Sequence, residues 1–316
     1  MALAALVTAC SASGSTSGAG STNDTTATAV AATRSAFDGN AALELTREQC
    51  AFGPRVPATP QHDKCAEWLT ATLKSSCDTV IVQTGTVQTA KSGKIGIKNI
   101  IGVINPDASQ RLLLLAHWDT RPWADNDLDP ANHSKPVMGA NDGASGVGVL
   151  LQLARQLKAE ATELGIDIVL VDAEDMGEDD NEESWGLGTQ YWASNPHVTG
   201  YKPLFGILLD MVGAPDATFT REYYSMQYAG GFVDLVWKNA AGSHFINRQG
   251  GAVTDDHIFI NRAGIPCIDI IDLRSDSDTG FCPVWHTVND TMDGISANTL
   301  AEVGQTLLNV IAELEK

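Results

Sequence analysis

The sequence has little positive charge, few aromatic residues and no long apolar run. It contains 20 Lys and Arg residues against 39 Asp and Glu residues, a formal net charge of −19 at pH 7. An excess of carboxylates repels phosphate backbones and anionic lipid headgroups, which excludes nucleic-acid binding and electrostatic membrane docking as main functions. No apolar run reaches the roughly 18 residues that a membrane-spanning helix needs. Apolar residues still make up 43% of the chain, enough for the core of one globular domain.

The first 34 residues differ in composition from the rest of the chain. A short apolar stretch ends at Val7-Thr8-Ala9-Cys10, in the form of a bacterial lipoprotein cleavage site, and a tail rich in Ser, Gly, Thr and Ala follows. Such a tail has too few large apolar side chains to pack. We expect an exported bacterial protein, periplasmic or anchored in the membrane through a lipid on Cys10, with a disordered tether over 1–34 and a single domain over 35–316. A degenerate or truncated signal is the alternative.

The cysteines and the histidines in polar segments constrain the fold weakly. A bridge between Cys267 and Cys282 would close the loop that precedes Trp285, but the spacing leaves all pairings open. The five cysteines after Cys10 are Cys50, Cys65, Cys77, Cys267 and Cys282. Four histidines in polar segments are expected at the surface: His62, His133, His197 and His244.

Continuous apolar runs alternate with helical patterns along most of the chain. The four runs are 112–116, 166–171, 205–209 and 265–271, and helical patterns cover 61–75, 144–159, 188–193, 232–241 and 297–314. Such runs are typical of parallel strands buried on both faces. Two extended segments, 78–87 and 98–104, predict antiparallel neighbours at a sheet edge. The sequence predicts an α/β fold, a three-layer sandwich whose central sheet is mostly parallel and mixed at its edge.

Polar clusters follow the apolar runs where each predicted strand ends. The first run leads into His117-Trp118-Asp119, the second into 172–175, the third into Asp210, and the fourth contains Asp269 near its end. Ligands of open α/β sheets bind beyond the carboxyl ends of the strands. We therefore expect the functional site at this edge.

Three residues from separate loops have the chemistry of a catalytic zinc site. Asp142, Asp175 and His286 offer two carboxylates and an imidazole. Three protein ligands leave a fourth coordination position open, which is typical of catalytic rather than structural zinc. Glu174 lies directly before Asp175, so one carboxylate of the pair can bind metal while the other acts as a general base.

The motifs that carry these residues resemble the zinc aminopeptidase superfamily and, within it, the glutaminyl-peptide cyclotransferases of bacteria and animals. The resemblance implies conversion of an N-terminal Gln of peptides or proteins to pyroglutamate, with release of ammonia. The matching segments run in order along the chain: AHWDT (116–120), GANDGASG (139–146), DAED (172–175), ILLDMVGAPDATF (207–219), TDDHI (254–258), RAGIPCIDII (262–271) and PVWHTVNDTMD (283–293).

The resemblance also implies roles for individual residues. One zinc per chain would be held by Asp142, Asp175 and His286, and Glu174 would be the catalytic acid and base. Asp210 and Asp255 would share a hydrogen-bond network beside the metal. Pocket aromatics are expected at Trp185, Phe281 and Trp285, and three further residues are expected around the ligands: His117, Asp119 and Asp269.

Several positions depart from the animal enzymes and indicate the bacterial branch. Asp175 replaces a second Glu, Asp269 replaces a His, and the cysteine pair near the first zinc acid is absent, since Ala116 and Val147 occupy those positions. An acidic segment, 176–184, replaces their pocket segment.

Two other functions fit the same residue types. A two-zinc aminopeptidase would use His117 and Asp210 for a second metal, with Asp142 bridging and Glu174 activating a water. A surface lipoprotein that kept the fold as a binding module is the second alternative. Trp285 before the late His favours the cyclotransferase, because the hydrolases usually carry a smaller residue or Tyr there.

Overall fold

A six-stranded sheet forms the middle layer of the structure, a computed structural model that describes residues 34–316. The predicted cleavage site, Cys10 and nearly all of the tether lie outside the described residues. The strands are β1 (Thr79–Thr89), β2 (Gly93–Ile104), β3 (Arg111–His117), β4 (Gly165–Val171), β5 (Gly206–Asp210), β6 (Phe219–Arg221), β7 (Phe245–Gln249) and β8 (Cys267–Ile271). The helices are α1 (Gly39–Cys50), α2 (Pro60–Lys74), α3 (Ala144–Glu160), α4 (Leu187–Ser194), α5 (Tyr223–Lys238), α6 (Asp256–Arg262) and α7 (Ala297–Leu314).

The strand order confirms the predicted fold class. The sheet runs β1-β2-β4-β3-β5-β8, with β3, β4, β5 and β8 parallel to one another. β2 is antiparallel to both of its neighbours, β1 and β4, which makes the sheet mixed at that edge. A separate pair, β6 and β7, lies outside this sheet. The carboxyl ends of the four parallel strands therefore meet at one edge.

Alternate residues of each parallel strand pack against different helical layers. Leu112 and Leu114 belong to the apolar cluster that includes α1, α3 and α7, whereas Leu113 and Leu115 belong to the cluster on the face of α4 and α6. All four side chains are fully buried. Burial of one such side chain stabilises the fold by about 1.5–3 kcal/mol, so both faces of the sheet contribute to holding the strand ends in place.

Most of the sequence-based segments match the structure, and the differences have local causes. The pattern over 297–314 coincides with α7, and the four apolar runs are β3, β4, β5 and β8. The short elements α6, β6 and β7 are absent from the prediction because few residues leave too little periodicity to detect. Helix α1, with 12 residues, is also absent from the prediction. β2 begins earlier than expected, at Gly93, since the exposed part of the hairpin continues the ladder beyond its apolar residues.

The cysteine bridge considered from the sequence is not formed. All five cysteines of the described chain are free and buried. Cys267 packs on the α4 and α6 side of the sheet, whereas Cys282 belongs to the core on the opposite side. No helix within the described residues is long and apolar enough to cross a membrane.

Candidate active site

The three predicted metal ligands meet at the carboxyl edge of the sheet. Nε2 of His286 lies 3.2 Å from Oδ1 of Asp175 and 3.6 Å from Oδ2 of Asp142. All three residues are buried, and one donor atom from each lies within 4.8 Å of the others. Ligand atoms around a tetrahedral zinc lie about 3.3 Å apart, given bonds of about 2.0–2.1 Å. The spacing and the donor types therefore fit zinc.

Backbone geometry fixes the loop that carries Asp142. The N–H groups of Asn141 and Asp142 donate to the carboxylate of Asp290, at 2.8 Å and 3.1 Å. Gly143 follows with φ of 81°, and a Cβ there would lie 2.6 Å from the carbonyl oxygen of His117. Only glycine fits this position. The loop therefore enters α3 with the Asp142 carboxylate aimed at the other two ligands.

A second carboxylate orients the loop of Glu174 and Asp175. The N–H groups of Glu174 and Asp175 donate to Asp119, at 3.0 Å and 3.3 Å. Ala173, just before them, adopts the left-handed conformation with φ of 52°, which a non-glycine residue rarely does. The sharp turn places both acids at the strand end, on the same side as the ligand loop.

Asp125 and Arg121 support the ligand His286 from behind. Nδ1 of His286 lies 3.5 Å from Oδ1 of Asp125, and Arg121 holds Asp125 through two hydrogen bonds of 2.8 Å and 2.5 Å. A carboxylate behind a ligating His orients its ring. Burial lowers the pKa of His286, but the charge of Asp175 and the contact with Asp125 outweigh burial and raise it to about 9.

Glu174 is a carboxyl group held out of water beside the ligands. Its exposed fraction is 7%. Burial, supported by the charges of Asp255 and Asp175 and opposed by His117, raises the pKa of Glu174 well above its usual range. A carboxyl group with a raised pKa can both accept and return a proton near neutral pH.

His117 joins Asp142 to Asp210 in a second group of donors. Its Nε2 lies 3.0 Å from Oδ1 of Asp142 and 3.2 Å from Oδ1 of Asp210. Its Nδ1 lies 3.5 Å from Asp119. Burial raises the pKa of Asp210 to about 7, with contributions from the charges of Asp142 and Asp255 and against the hydrogen bond from His117. His117, Asp119 and Asp210, all predicted from the sequence, therefore lie close to the predicted metal ligands.

The site opens into a cavity of about 290 Å³. Its polar wall includes Glu174, Asp210 and Asp255, next to the ligands Asp142 and His286. Its aromatic wall consists of three predicted residues, Trp185, Phe281 and Trp285. The rings of Phe281 and Trp285 lie 4.5 Å apart, and Trp285 stacks on His286 at 3.8 Å between ring centroids. Apolar rings and carboxyl groups thus line the same cavity.

The sequence profile of peptidase family M28 matches residues 99–311. The chain belongs to peptidase family M28. The solved glutaminyl cyclase of Bacteroides thetaiotaomicron is 47% identical, with a TM-score of 0.85, over 88% of this chain and 99% of that one. A Zn-dependent exopeptidase of Parabacteroides distasonis is 46% identical, with a TM-score of 0.85, over 88% and 98%. The glutaminyl-peptide cyclotransferase-like protein of Bos taurus is 26% identical over 82% of this chain and 72% of its own.

These relationships confirm the predicted family, fold and enzyme class. Most of the predicted site residues line one cavity. Asp269 lies in the middle of β8, with a donor atom within 4.8 Å of one from Asp255. The roles assigned to these residues stay predictions.

Three residues of this M28 site were missed in the sequence. Arg121 and Asp125 lie in a loop without a recognisable motif, and their sequence positions do not indicate a contact with His286. Asp290 lies inside the motif 283–293, which was the one available signal. Burial and the charge of Asp142 raise its pKa to about 7, against the N–H groups that donate to it.

Proposed function

We propose that this M28 protein is a glutaminyl-peptide cyclotransferase. The α-amine nitrogen of an N-terminal Gln attacks its own side-chain carbonyl carbon, the bond to the side-chain nitrogen breaks, and ammonia leaves. The position of Glu174 carries this proposal, because Glu174 is buried with a raised pKa and lines the same cavity as two predicted ligands and the aromatic residues. The reaction consumes no water, so the site needs a proton carrier and a means of folding the substrate.

Asp142, Asp175 and His286 would hold one zinc ion per chain. When bound, zinc supplies a Lewis acid that polarises the side-chain carbonyl of the substrate. The spacing of 3.2 Å and 3.6 Å between His286 and the two carboxylates supports a shared ion. Asp125 would keep the ligating nitrogen of His286 aimed at that ion.

Glu174 would move the proton that the reaction must transfer. It takes a proton from the attacking amine and returns a proton to the departing nitrogen, so the carboxyl group ends in its starting state. A carboxyl group of ordinary pKa would be a poor acid at neutral pH, whereas the raised pKa of Glu174 suits both steps. Asp210 and Asp255, on the same wall, would orient the amine or Glu174.

The aromatic wall would hold the Gln side chain folded back on its own amine. Trp285 and Phe281 pack together and line the cavity that the carboxyl groups also line, as does Trp185. An intramolecular reaction gains most from holding the reacting atoms close together, which requires a rigid and shaped pocket.

Peptides or proteins that begin with Gln are the proposed substrates, as the names of the relatives also suggest. We further propose export and attachment through a lipid on Cys10, with 1–34 as the tether and 35–316 as the catalytic domain. The composition of the tail supports this proposal. The acidic surface argues against nucleic-acid partners.

A two-zinc aminopeptidase is the second candidate, because His117, Asp142 and Asp210 form another group of three donors. The relatives favour the cyclotransferase instead, because the solved glutaminyl cyclases of Bacteroides thetaiotaomicron and Porphyromonas gingivalis are 47% and 46% identical to this chain. A non-catalytic lipoprotein would not require a buried Glu174 that lines an open cavity.

The test compares two peptides that differ only in their first residue, Gln or Leu. The zinc-loaded protein is incubated with each, while ammonia and peptide mass are followed together. The proposal predicts one ammonia per Gln peptide, with the chain otherwise intact and no change in the Leu peptide. Loss of a whole first residue from either peptide would favour the aminopeptidase.

A further inference from the structure

Asp269 is an acid buried in an apolar strand, behind the wall of the cavity. It lies on β8 between Ile268 and Ile270, and its exposed fraction is 0%. Its backbone N–H donates to the hydroxyl of Ser225, at 3.0 Å. Among the described residues, no N–H or O–H group donates to either of its carboxyl oxygens. An ionised carboxylate would thus be dehydrated and without a hydrogen-bond donor.

The groups that face Asp269 are mostly acids. Asp255 approaches from the start of α6, Asp210 from β5 and Glu222 from the start of α5, and all three add negative charge near it. His257 lies on the same side, but its Nε2 already contacts Glu222 at 3.2 Å, and its Nδ1 is 3.7 Å from Asp269. The thiol of Cys267 lies on the same face of the strand and carries no charge. Burial, with these acids, raises the pKa of Asp269 well above its usual range.

Asp255 has one free oxygen that matches this arrangement. One carboxylate oxygen accepts the N–H of Asp256, at 2.5 Å, and the other, Oδ2, is buried without a partner. A donor atom of Asp255 lies within 4.8 Å of one from Asp269. Two adjacent buried carboxyl groups avoid repulsion when they share one proton.

We propose that Asp269 is a positioning residue that remains protonated and donates its O–H to the free oxygen of Asp255. The shared proton keeps Asp255 turned toward the cavity, where Asp255 and Glu174 line the same wall. A cation is the other occupant that three such donors suggest, but a site with three protein ligands needs room for water in its open position. His257 and Asp269 are fully buried and do not line the cavity, which leaves no such room. The effect on catalysis rests on the proposed cyclotransferase function, whereas the protonation of Asp269 does not.

The first test measures the proton without using activity. Infrared spectra of the zinc-loaded protein at neutral pH are compared between wild type, Asp269→Asn and a matched control, Asp293→Asn, at an exposed acid. We expect a carbonyl band of a protonated carboxylic acid that disappears in Asp269→Asn and persists in Asp293→Asn. A band that is equal in all three proteins would overturn the proposal. So would a metal ion bound in addition to the active-site zinc and lost only in Asp269→Asn.

The second test distinguishes a hydrogen-bond donor at position 269 from a side chain that only fills the space. Asn keeps an N–H donor at position 269, whereas Leu has a similar size and no donor. We expect Asp269→Leu to lower kcat roughly ten- to hundredfold with KM nearly unchanged, and Asp269→Asn to lower it less than about threefold. Equal loss in both variants at equal melting temperature, or no loss in either, would contradict the positioning role. If wild type does not cyclise Gln peptides, the proposed function fails while the infrared test still decides the protonation of Asp269.

Discussion

Acids and histidines are buried both at the amino ends of the parallel strands (the amino edge) and at their carboxyl ends (the carboxyl edge). The charge of these acids is compensated differently at the two edges. At the amino edge, Asp167 accepts two hydrogen bonds from Arg111, each 2.7 Å, and one from the hydroxyl of Tyr201, also 2.7 Å. Although burial opposes this, His197 and Arg111 lower the pKa of Asp167. At the carboxyl edge, burial instead raises the pKa of Glu174 and of Asp210.

This comparison distinguishes a buried ion pair that stabilises the fold from a set of acids that can bind a ligand or carry a proton. A buried acid whose pKa falls has found its partner within the fold, and it contributes stability. Acids whose pKa rises are short of partners, and a metal ion, a proton or a substrate amine must supply them. The direction of the pKa shift therefore distinguishes Asp167 from Glu174 and Asp210. Asp142 does not follow the rest of its edge, because the contacts with His117 outweigh burial and lower its pKa.

The largest expected effect is on catalysis at the carboxyl edge. Replacement of Glu174 by Gln keeps the shape of the side chain and removes its ability to carry a proton. We expect kcat for Gln peptides to fall about 10²- to 10⁴-fold, with the bound zinc unchanged. Steady-state kinetics and metal analysis on the same preparation test this, and activity above one tenth of wild type would exclude Glu174 as the proton carrier.

Replacement of Asp167 by Asn tests the amino edge. The change leaves the half-buried Arg111 beside a neutral group, so we expect a loss of about 1.5–3 kcal/mol in the free energy of unfolding. Activity per folded molecule should remain that of wild type. Urea unfolding and kinetics below the transition measure both quantities. A loss of kcat in the folded state would show that the two edges are coupled.

Asp125→Asn removes the charge behind the ligand His286 while keeping its size. We expect zinc affinity to fall about 10- to 100-fold, with the fold intact, because the ring loses the group that orients it. Competition with a chelator gives the Kd. Asp276→Asn, at an exposed acid, is the matched control, and equal Kd values for the two variants would contradict the contact.

The smallest expected effect is a difference in how stability depends on pH in the zinc-free protein. The pKa of Asp210 is raised to about 7, so its neutral form is favoured on folding and stability falls as pH rises from about 4 to about 7. Asp210→Asn should flatten this slope. Asp167 has a lowered pKa, so its contribution to stability is lost only as pH falls below about 4. Asp167→Asn should therefore leave the slope between pH 4 and pH 7 unchanged. Melting temperatures of the zinc-free wild type and of the two variants, measured from about pH 4 to about pH 7, test both expectations.

The sequence could predict that Asp142, Asp175 and His286 come together, because each lies in a recognisable motif. It could not predict their supports. Asp290 binds the backbone of Asn141 although 149 positions separate them, and no local pattern encodes such a contact. The sequence also gives no indication that Ala173, Met211 and His286 adopt the left-handed backbone conformation, because none of the three is glycine.

The burial of two histidines could not be predicted from the sequence either. His62 and His197 were expected at the surface, and both expectations are wrong. Nε2 of His62 lies 2.9 Å from Asp172, and its ring stacks on Trp118 at 4.2 Å. His197 is buried beside Asp167. A polar neighbourhood in the sequence does not reveal the partner that makes burial favourable, since that partner comes from another element.

The most direct test of the central claim follows the fate of oxygen during turnover of a Gln-initiated peptide in water enriched in heavy oxygen. Intramolecular attack forms the ring without water, so the account predicts a peptide that has lost one ammonia and carries no heavy oxygen. Hydrolysis by the same site would place heavy oxygen in a new carboxyl group. Labelled product, either a freed first residue or a peptide whose Gln has become Glu, would contradict the account.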